Sequence, residues 1–315
     1  MNKNEYTDAA RQYLALLPSA DKSPETVRSY GTALDAFGEF MNSTHAEELT
    51  PLVLLAWRQK MHEEGKASTT ISHYLVSLHR FFDFCVKKMG LMEKNLISTE
   101  DIPIPKPRDK ERPDLDQIKK LLNSDGVIYG ANSKTAARNR AIIILLIQTG
   151  LRNSELRSLT PADLDFVRNS ITVRHGKGDK ARLVPFPALS RAAVKNYLNS
   201  GYRPKWCTDA APLFGTDSDK QGHSTCGEIW HQISSAALLA AVNSYTEAIC
   251  GMATSVHDLR HAYASYCDHM GLPLRDIQLS MGHSSATTTD KIYISVLDKS
   301  KSSLSVNHAF DAVFA

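Results

Sequence analysis

The sequence has no C-x-x-C pair, and its five cysteines, Cys85, Cys207, Cys226, Cys250 and Cys267, are odd in number and far apart. This argues against a disulfide framework and a cysteine-based zinc site; the thiols read as reduced, mostly core residues of a reducing compartment. Long apolar runs are missing as well. The longest, AIIILLI at residues 141–147, falls far short of the ~20 residues that span a bilayer. No apolar signal region follows the first basic residue in MNKNEYTDAARQYL, so a cytoplasmic protein with no membrane partner is expected. Internal repeats and low-complexity tracts are absent. The net charge is only +3, too small to name a partner by itself.

The charge is unevenly spread. Residues 126–200 hold twelve Lys/Arg against four Asp/Glu, a local excess of +8, and the rest of the chain sums to −5. A concentrated basic field suits a polyanionic partner, although a solvated basic face with no ligand would look the same in sequence.

At 315 residues the chain is about twice a typical domain, so two domains are expected. Helical periodicity runs through the first hundred residues. In SPETVRSYGTALDAFGEFM, Ser23 is a candidate N-cap with Pro24 at the first helical position, and Val27, Tyr30, Leu34, Phe37 and Met41 recur on one face. STTISHYLVSLHRFFDFCVKKMG repeats the pattern, with Ser68 as candidate cap and Gly90 as terminator. Shorter helices near 4–17 and 50–64 complete a four-helix unit over residues 1–101. IPIPKPRDKERP, residues 102–113, has four prolines, which exclude helix and favour an extended linker. The second domain, 114–315, opens with a helix at about 114–123. Two more follow in KTAARNRAIIILLIQTGLRNSELRSL, broken at Thr149-Gly150. The period then changes in SITVRHGKGDKARLVPF, which reads as a β-hairpin with Lys177 at its tip between two glycines. From about 187 onward the pattern is mainly helical.

HDLRHAYAS, residues 257–265, sets two histidines four apart on a probable helix. A zinc protease helix reads H-E-x-x-H. Here Asp258 takes the glutamate position and Arg260 precedes the second histidine. A permanently charged guanidinium repels a divalent cation within a turn of it and attracts a phosphate. His257 and Arg260 are three apart and share a helical face; His261 lies on an adjacent face, where packing or a backbone hydrogen bond is expected. Other stretches also suit phosphate: Arg152 follows the helix-breaking Gly150 near the start of the next helix, and Lys177 sits where small residues allow close approach of a backbone. His283 lies in MGHSSATTTDKIY, with Tyr293 ten residues later. Each alone reads as an ordinary surface or core residue; their combination is harder to dismiss.

TGLRNSEL, HGKGDKARLVPF, HDLRHAYAS and MGHSSATTTDKIY, in this order and at these separations, resemble the tyrosine recombinase (phage integrase) family. The resemblance covers essentially the whole chain, is most specific over residues 149–293, and in size looks like the two-domain Xer-type and simple integrases. It implies a mainly α fold: an N-terminal helical, SAM-like core-binding domain and an α+β catalytic domain with a small sheet or hairpin. It also implies that Arg152 and Arg260 are the catalytic arginines, Lys177 the hairpin lysine that protonates the leaving 5′-oxygen, His257 and His283 the histidines, and Tyr293 the nucleophile. Glu155 matches an acidic position that supports the first arginine. Ser280-Met281 stands where the family has two apolar residues, a departure expected to touch packing more than chemistry. The implied partner is double-stranded DNA, bound by a homo-tetramer whose C-terminal tail, with Phe310 and Phe314, contacts a neighbouring protomer or packs on its own domain. No cofactor and no metal are expected.

The residue chemistry is compatible. A phenol with a pKa near ~10 is about one part in a thousand ionised at pH 7, so attack on a phosphodiester needs a proton acceptor, for which His257 is a candidate. Positioned donors such as Arg152 and Arg260 contribute on the order of 3 kcal/mol each as charge grows on the nonbridging oxygens. The expected function is site-specific DNA recombination through a 3′-phosphotyrosyl intermediate. Mobile-element integration or excision is favoured over Xer-type chromosome dimer resolution. A type IB topoisomerase, a silent DNA-binding regulator and a metalloprotein using His257, His261 and His269 are the competing readings.

Overall fold

The computed structural model describes residues 1–20, 22–105, 112–124, 133–174, 181–216 and 230–281, with 133–134 described by backbone alone. The chain divides into two compact units, Met1–Asp109 and Lys110–Ala315. The architecture is mainly α with a small antiparallel sheet, in agreement with the fold class read from sequence.

The first unit consists of α1 (Lys3–Leu16), α2 (Pro24–Ser43), α3 (Pro51–Glu63) and α4 (Ser68–Phe84) with short irregular connections. Local chemistry sets most of the boundaries. Asn2 and Glu5 form a reciprocal capping box at α1, and Ser23 accepts the Thr26 N–H at the start of α2, with Pro24 at the first helical position. Ser68 does not cap α4. Ala67 holds that position with no side-chain bond, because its own carbonyl already accepts the Thr70 and Ile71 N–H groups and so starts the helix one residue early. At the other end a π-helical turn over Cys85–Met89 is closed by Gly90 at φ +64°, a left-handed conformation that favours glycine. Tyr6, Phe37, Trp57, Phe81 and Phe82 are buried together, and the Tyr6 phenol donates to the Leu34 carbonyl at 2.7 Å.

In the second unit α5 (Leu115–Asn123) starts at an Asp114/Gln117 capping box. It is followed by α6 (Ser133–Thr149), α7 (Asn153–Ser158), β1 (Leu164–Asp165), β2 (Ser170–Val173), β3 (Arg182–Pro185) and α8 (Ala188–Asn199). Then come β4 (Gly215–Thr216), β5 (His231–Gln232), α9 (Ser235–Cys250), α10 (Val256–His269) and α11 (Leu274–Met281). AIIILLI falls on α6, and every one of its side chains is buried. A helix apolar all round must be central, and α6 accordingly packs against α5, α8, α9, α10 and β3. β2 and β3 pair antiparallel, with Val173 opposite Arg182 and Ser170 opposite Pro185; β1 joins the free edge of β2. This is the expected hairpin, and its Lys177 tip lies outside the described residues. The two-residue strands β4 and β5 interrupt the helical reading after residue 187; they are too short to show a period.

Of the cysteines, Cys85 and Cys267 are buried, Cys207 and Cys250 are half-buried, all four are free thiols, and Cys226 lies outside the described residues. Burial pushes the Cys85 and Cys267 thiols up to about 12, which suits inert core residues. No described helix is long and apolar enough to cross a membrane.

Candidate active site

Four of the residues singled out in sequence fall on two short stretches of the second unit. α6 ends where Gly150 turns the chain at φ +61°, and a side chain there would meet the Tyr263 ring. The turn places Arg152 at the N-cap of α7, with extended backbone at φ −74°, ψ 160°. Glu155, in the first turn of α7, reaches back: its Oε2 accepts the Arg152 backbone N–H at 2.8 Å, and its Oε1 accepts from Arg152 Nη1 at 2.6 Å. One carboxylate therefore holds both the backbone and the guanidinium of Arg152.

The same carboxylate has a second cation. Arg182, the first residue of β3, donates from Nη1 and Nη2 to the two oxygens of Glu155 at 2.6 and 2.8 Å, a fork-on-carboxylate geometry. Glu155 is 2% exposed. Burial raises its pKa, but hydrogen bonds from Arg182 and from the Arg152 backbone, followed by the Arg182 charge, outweigh that and take it down to about 2. Arg182 was not singled out in sequence. It stands at the head of an apolar strand, RLVP, and nothing local ties it to a glutamate 27 residues earlier.

α10 supplies the other half. Ser255 and Asp258 form its capping box, with Asp258 Oδ2 accepting the Ser255 N–H at 2.8 Å and its hydroxyl at 2.6 Å. Asp258 is buried and engaged in capping the start of the helix. From this cap His257 stands exposed in the first turn, and Arg260 points inward at 4% exposure. Arg260 donates to the Gly150 carbonyl and, at 2.5 Å, to the Met281 carbonyl. Burial, and then the neighbouring Arg152 charge, lower its pKa to about 10, with Glu155 opposing, so it stays cationic at neutral pH.

His261 packs on a neighbouring ring, one of the two outcomes expected for it. Among the described residues its ring makes no backbone hydrogen bond; Nε2 lies 3.0 Å from His257 Nε2, with the rings edge to face at 4.4 Å between centroids. One nitrogen must donate and the other accept, so the pair as placed cannot be doubly protonated. Burial, followed by the His257 and Arg112 charges, lowers the His261 pKa and favours its neutral form. No group of three metal-capable His, Cys, Asp or Glu side chains occurs among the described residues.

Ser280 and Met281, at the end of α11, contribute chiefly through backbone. The Ser280 carbonyl accepts from Arg182 Nε at 3.2 Å, and the Met281 carbonyl accepts from Arg260. The Ser280 hydroxyl also pairs with the Tyr263 phenol at 2.8 Å, so the departure at this position places a polar contact in the core. Tyr263 is fully buried, and burial, ahead of the nearby Cys267, pushes its phenol well above the ordinary value. It is a packing tyrosine, unsuited to attack. Lys177, His283 and Tyr293 lie outside the described residues.

The basic stretch at 126–200 is less of an open face than its composition suggests. Arg138 donates to the Tyr202 phenol, Arg140 to the Ser124 carbonyl, Arg157 to the Ile233 carbonyl, Arg174 to Asp163 and Arg191 to the Phe186 carbonyl. Much of that charge is engaged in holding the unit together.

Comparison with known proteins places these features in context. Residues 112–300 match the model described as the phage integrase family, and residues 10–89 match that of the phage integrase N-terminal SAM-like domain. The chain is 30% identical to tyrosine recombinase XerD of Yersinia pestis, over 93% of this chain and 94% of the relative. It is 29% identical to tyrosine recombinase XerA of Pyrococcus furiosus, over 93% and 91% of the two chains. Among solved structures, the Tn1549 transposon integrase in complex with transposon right end DNA superposes with a TM-score of 0.65 at 19% identity, over 99% of this chain and 100% of that one, a likeness of fold.

Proposed function

This chain belongs to the phage integrase family of tyrosine recombinases, and on that premise we propose that it breaks and rejoins duplex DNA at a specific site through Tyr293. In this reading the Tyr293 phenol oxygen attacks the scissile phosphorus as its proton passes to His257. The bond from phosphorus to the 5′-oxygen breaks, and Lys177 protonates the leaving oxygen. The 3′-phosphotyrosyl link conserves the bond energy, so a 5′-hydroxyl of another strand reverses the step without ATP. Arg152, Arg260 and His283 stabilise the nonbridging oxygens as charge develops, and Glu155 holds Arg152 in place.

The observation that supports this reading is the convergence of Arg152, Glu155 and Arg260, from two stretches more than a hundred positions apart, on the turn at Gly150. A mere basic face has no reason to set two arginines on one buried carboxylate. Residues 1–101 act as the second arm of a clamp on DNA, joined by the 102–113 linker to the catalytic domain 114–315. The working assembly is a homo-tetramer in the cytoplasm, with the C-terminal tail reaching a neighbouring protomer. Mobile-element integration or excision is the favoured role. Chromosome dimer resolution is the second reading, favoured by the Xer names of relatives matched over more than nine-tenths of the chain.

The test is covalent capture. Wild type and Tyr293→Phe are incubated with fragmented genomic DNA in EDTA, denatured, and the protein-linked fragments sequenced. Adducts from the wild type alone support a metal-independent tyrosine nucleophile, and the recovered site separates a mobile-element end from a chromosomal one. Adducts that survive Tyr293→Phe would overturn the assignment of the nucleophile.

A further inference from the structure

Arg182 has no role assigned above, yet it is the residue through which the parts of the site meet. It lies five positions after Lys177 and heads the returning strand of that hairpin. Its two terminal nitrogens occupy both oxygens of Glu155, the carboxylate that holds the backbone and side chain of Arg152. Its Nε donates to the Ser280 carbonyl, three positions before His283. A guanidinium has donors on three nitrogens in one rigid plane, and here each nitrogen goes to a different atom. The side chain is 11% exposed, too enclosed to be an ordinary phosphate-gripping surface cation.

We propose that Arg182 is a positioning residue for strand cleavage: it fixes Glu155, and so Arg152, relative to the hairpin of Lys177 and to the segment that leads into His283. The inference rests on the catalytic reading above. A point charge would neutralise Glu155 equally well. Only a planar fork with a third donor sets the angle of the carboxylate and the place of the Ser280 carbonyl together. Arg260 runs in parallel, bridging the Gly150 and Met281 carbonyls, so two arginines tie the end of α11 to the residues on either side of Arg152, Gly150 and Glu155. Without Arg182, Glu155 would face Arg152 alone and draw it away from its presented position.

The experiment compares Arg182→Lys, Arg182→Ala, Glu155→Gln and the Arg182→Ala/Glu155→Gln double variant in the full chain. The probe is a nicked duplex carrying the site recovered by covalent capture. Single-turnover cleavage rate, Kd for the same duplex and Tm are measured together. Expected for Arg182→Lys are a near wild-type Tm and a cleavage rate down about 10-fold with Kd changed less than about 3-fold. Arg182→Ala should lose about 100-fold in rate, and the double variant should be no slower than Arg182→Ala, because the two act in one chain of contacts. Full recovery of rate by lysine would overturn the proposal in favour of simple charge neutralisation, and so would multiplying losses in the double variant.

Backbone hydrogen exchange supplies a readout that needs no activity. Residues 152–156 and 278–281 should exchange faster in Arg182→Lys than in wild type, while α4 is unchanged; equal exchange overturns the proposal. If the wild type itself forms no adduct while exchange changes as expected, the catalytic reading fails and the positioning geometry stands.

Discussion

The two units bury different kinds of side chain. Among the described residues of the first unit, Ser77 is the one polar side chain buried apart from the tyrosines, none is charged, and the core is carried by Tyr6, Phe37, Trp57, Phe81 and Phe82. Phe37 sits edge-on to Tyr6 at 5.5 Å and to Trp57 at 5.0 Å. The second unit buries Glu155, Asp163, Arg203, Asp258, Arg260 and Asp276. Apolar packing tolerates small shifts because it is non-directional. Buried charges do not, since each must meet a partner at hydrogen-bond distance or cost several kcal/mol. The second unit accepts that cost where Arg152 has to be held at one angle, and the first unit has no comparable demand.

The comparison breaks most visibly under truncation. Phe37→Ala and Glu155→Ala should each cost roughly 3–5 kcal/mol, the first by leaving a cavity and the second by leaving the part-buried Arg152 and Arg182 without their counter-charge. Denaturant unfolding of the full chain measures both. Covalent-adduct formation separates them: Phe37→Ala, assayed where it remains folded, should cleave within about 3-fold of wild type, and Glu155→Ala should lose cleavage by about 100-fold. Equal loss of cleavage in both variants would mean that the site depends on general stability rather than on its carboxylate.

Acid sharpens the same contrast. The pKa of Glu155 is depressed from 4.5 to about 2, so the stability it contributes is fully present above about pH 4.5 and is lost as pH falls through about 2. The shift corresponds to about 3 kcal/mol. Unfolding free energies measured at about pH 6 and about pH 2 should therefore differ less in Glu155→Gln than in wild type by nearly that amount. A wild-type difference unaffected by Glu155→Gln would assign the acid sensitivity to other carboxylates.

The smallest effect concerns the first unit's helix ends. Ser23→Ala removes the oxygen that accepts the Thr26 N–H and should lower stability by about 1 kcal/mol with no change in cleavage by the folded protein. Ser68→Ala should cost much less than that, because Ser68 makes no cap bond. A loss at Ser68 as large as that at Ser23 would restore the cap read from sequence.

What was legible in sequence follows from which forces are local. Helix periodicity, the Ser23 cap, the Gly90 stop, the hairpin strands and the break at Gly150 are written within a few neighbouring residues, and the order of the four motifs carried the family. Ser68 failed as a cap because the competition is decided by one backbone carbonyl, and β4 and β5 were invisible because two residues show no period. His261 was expected to pack or to bond backbone, and its ring packs on His257 along its own helix.

By itself the sequence determined which residue types stand at Arg152, Glu155, His257 and Arg260, and that helices and one hairpin would carry them. Tertiary structure alone decided that Glu155 and Arg182, 27 residues apart, share one fork, and that Arg260 reaches across 110 positions to the Gly150 carbonyl. The physical reason is that burial raises the cost of an unpaired charge until a partner from anywhere in the chain must be found, and that search is settled by packing, not by spacing.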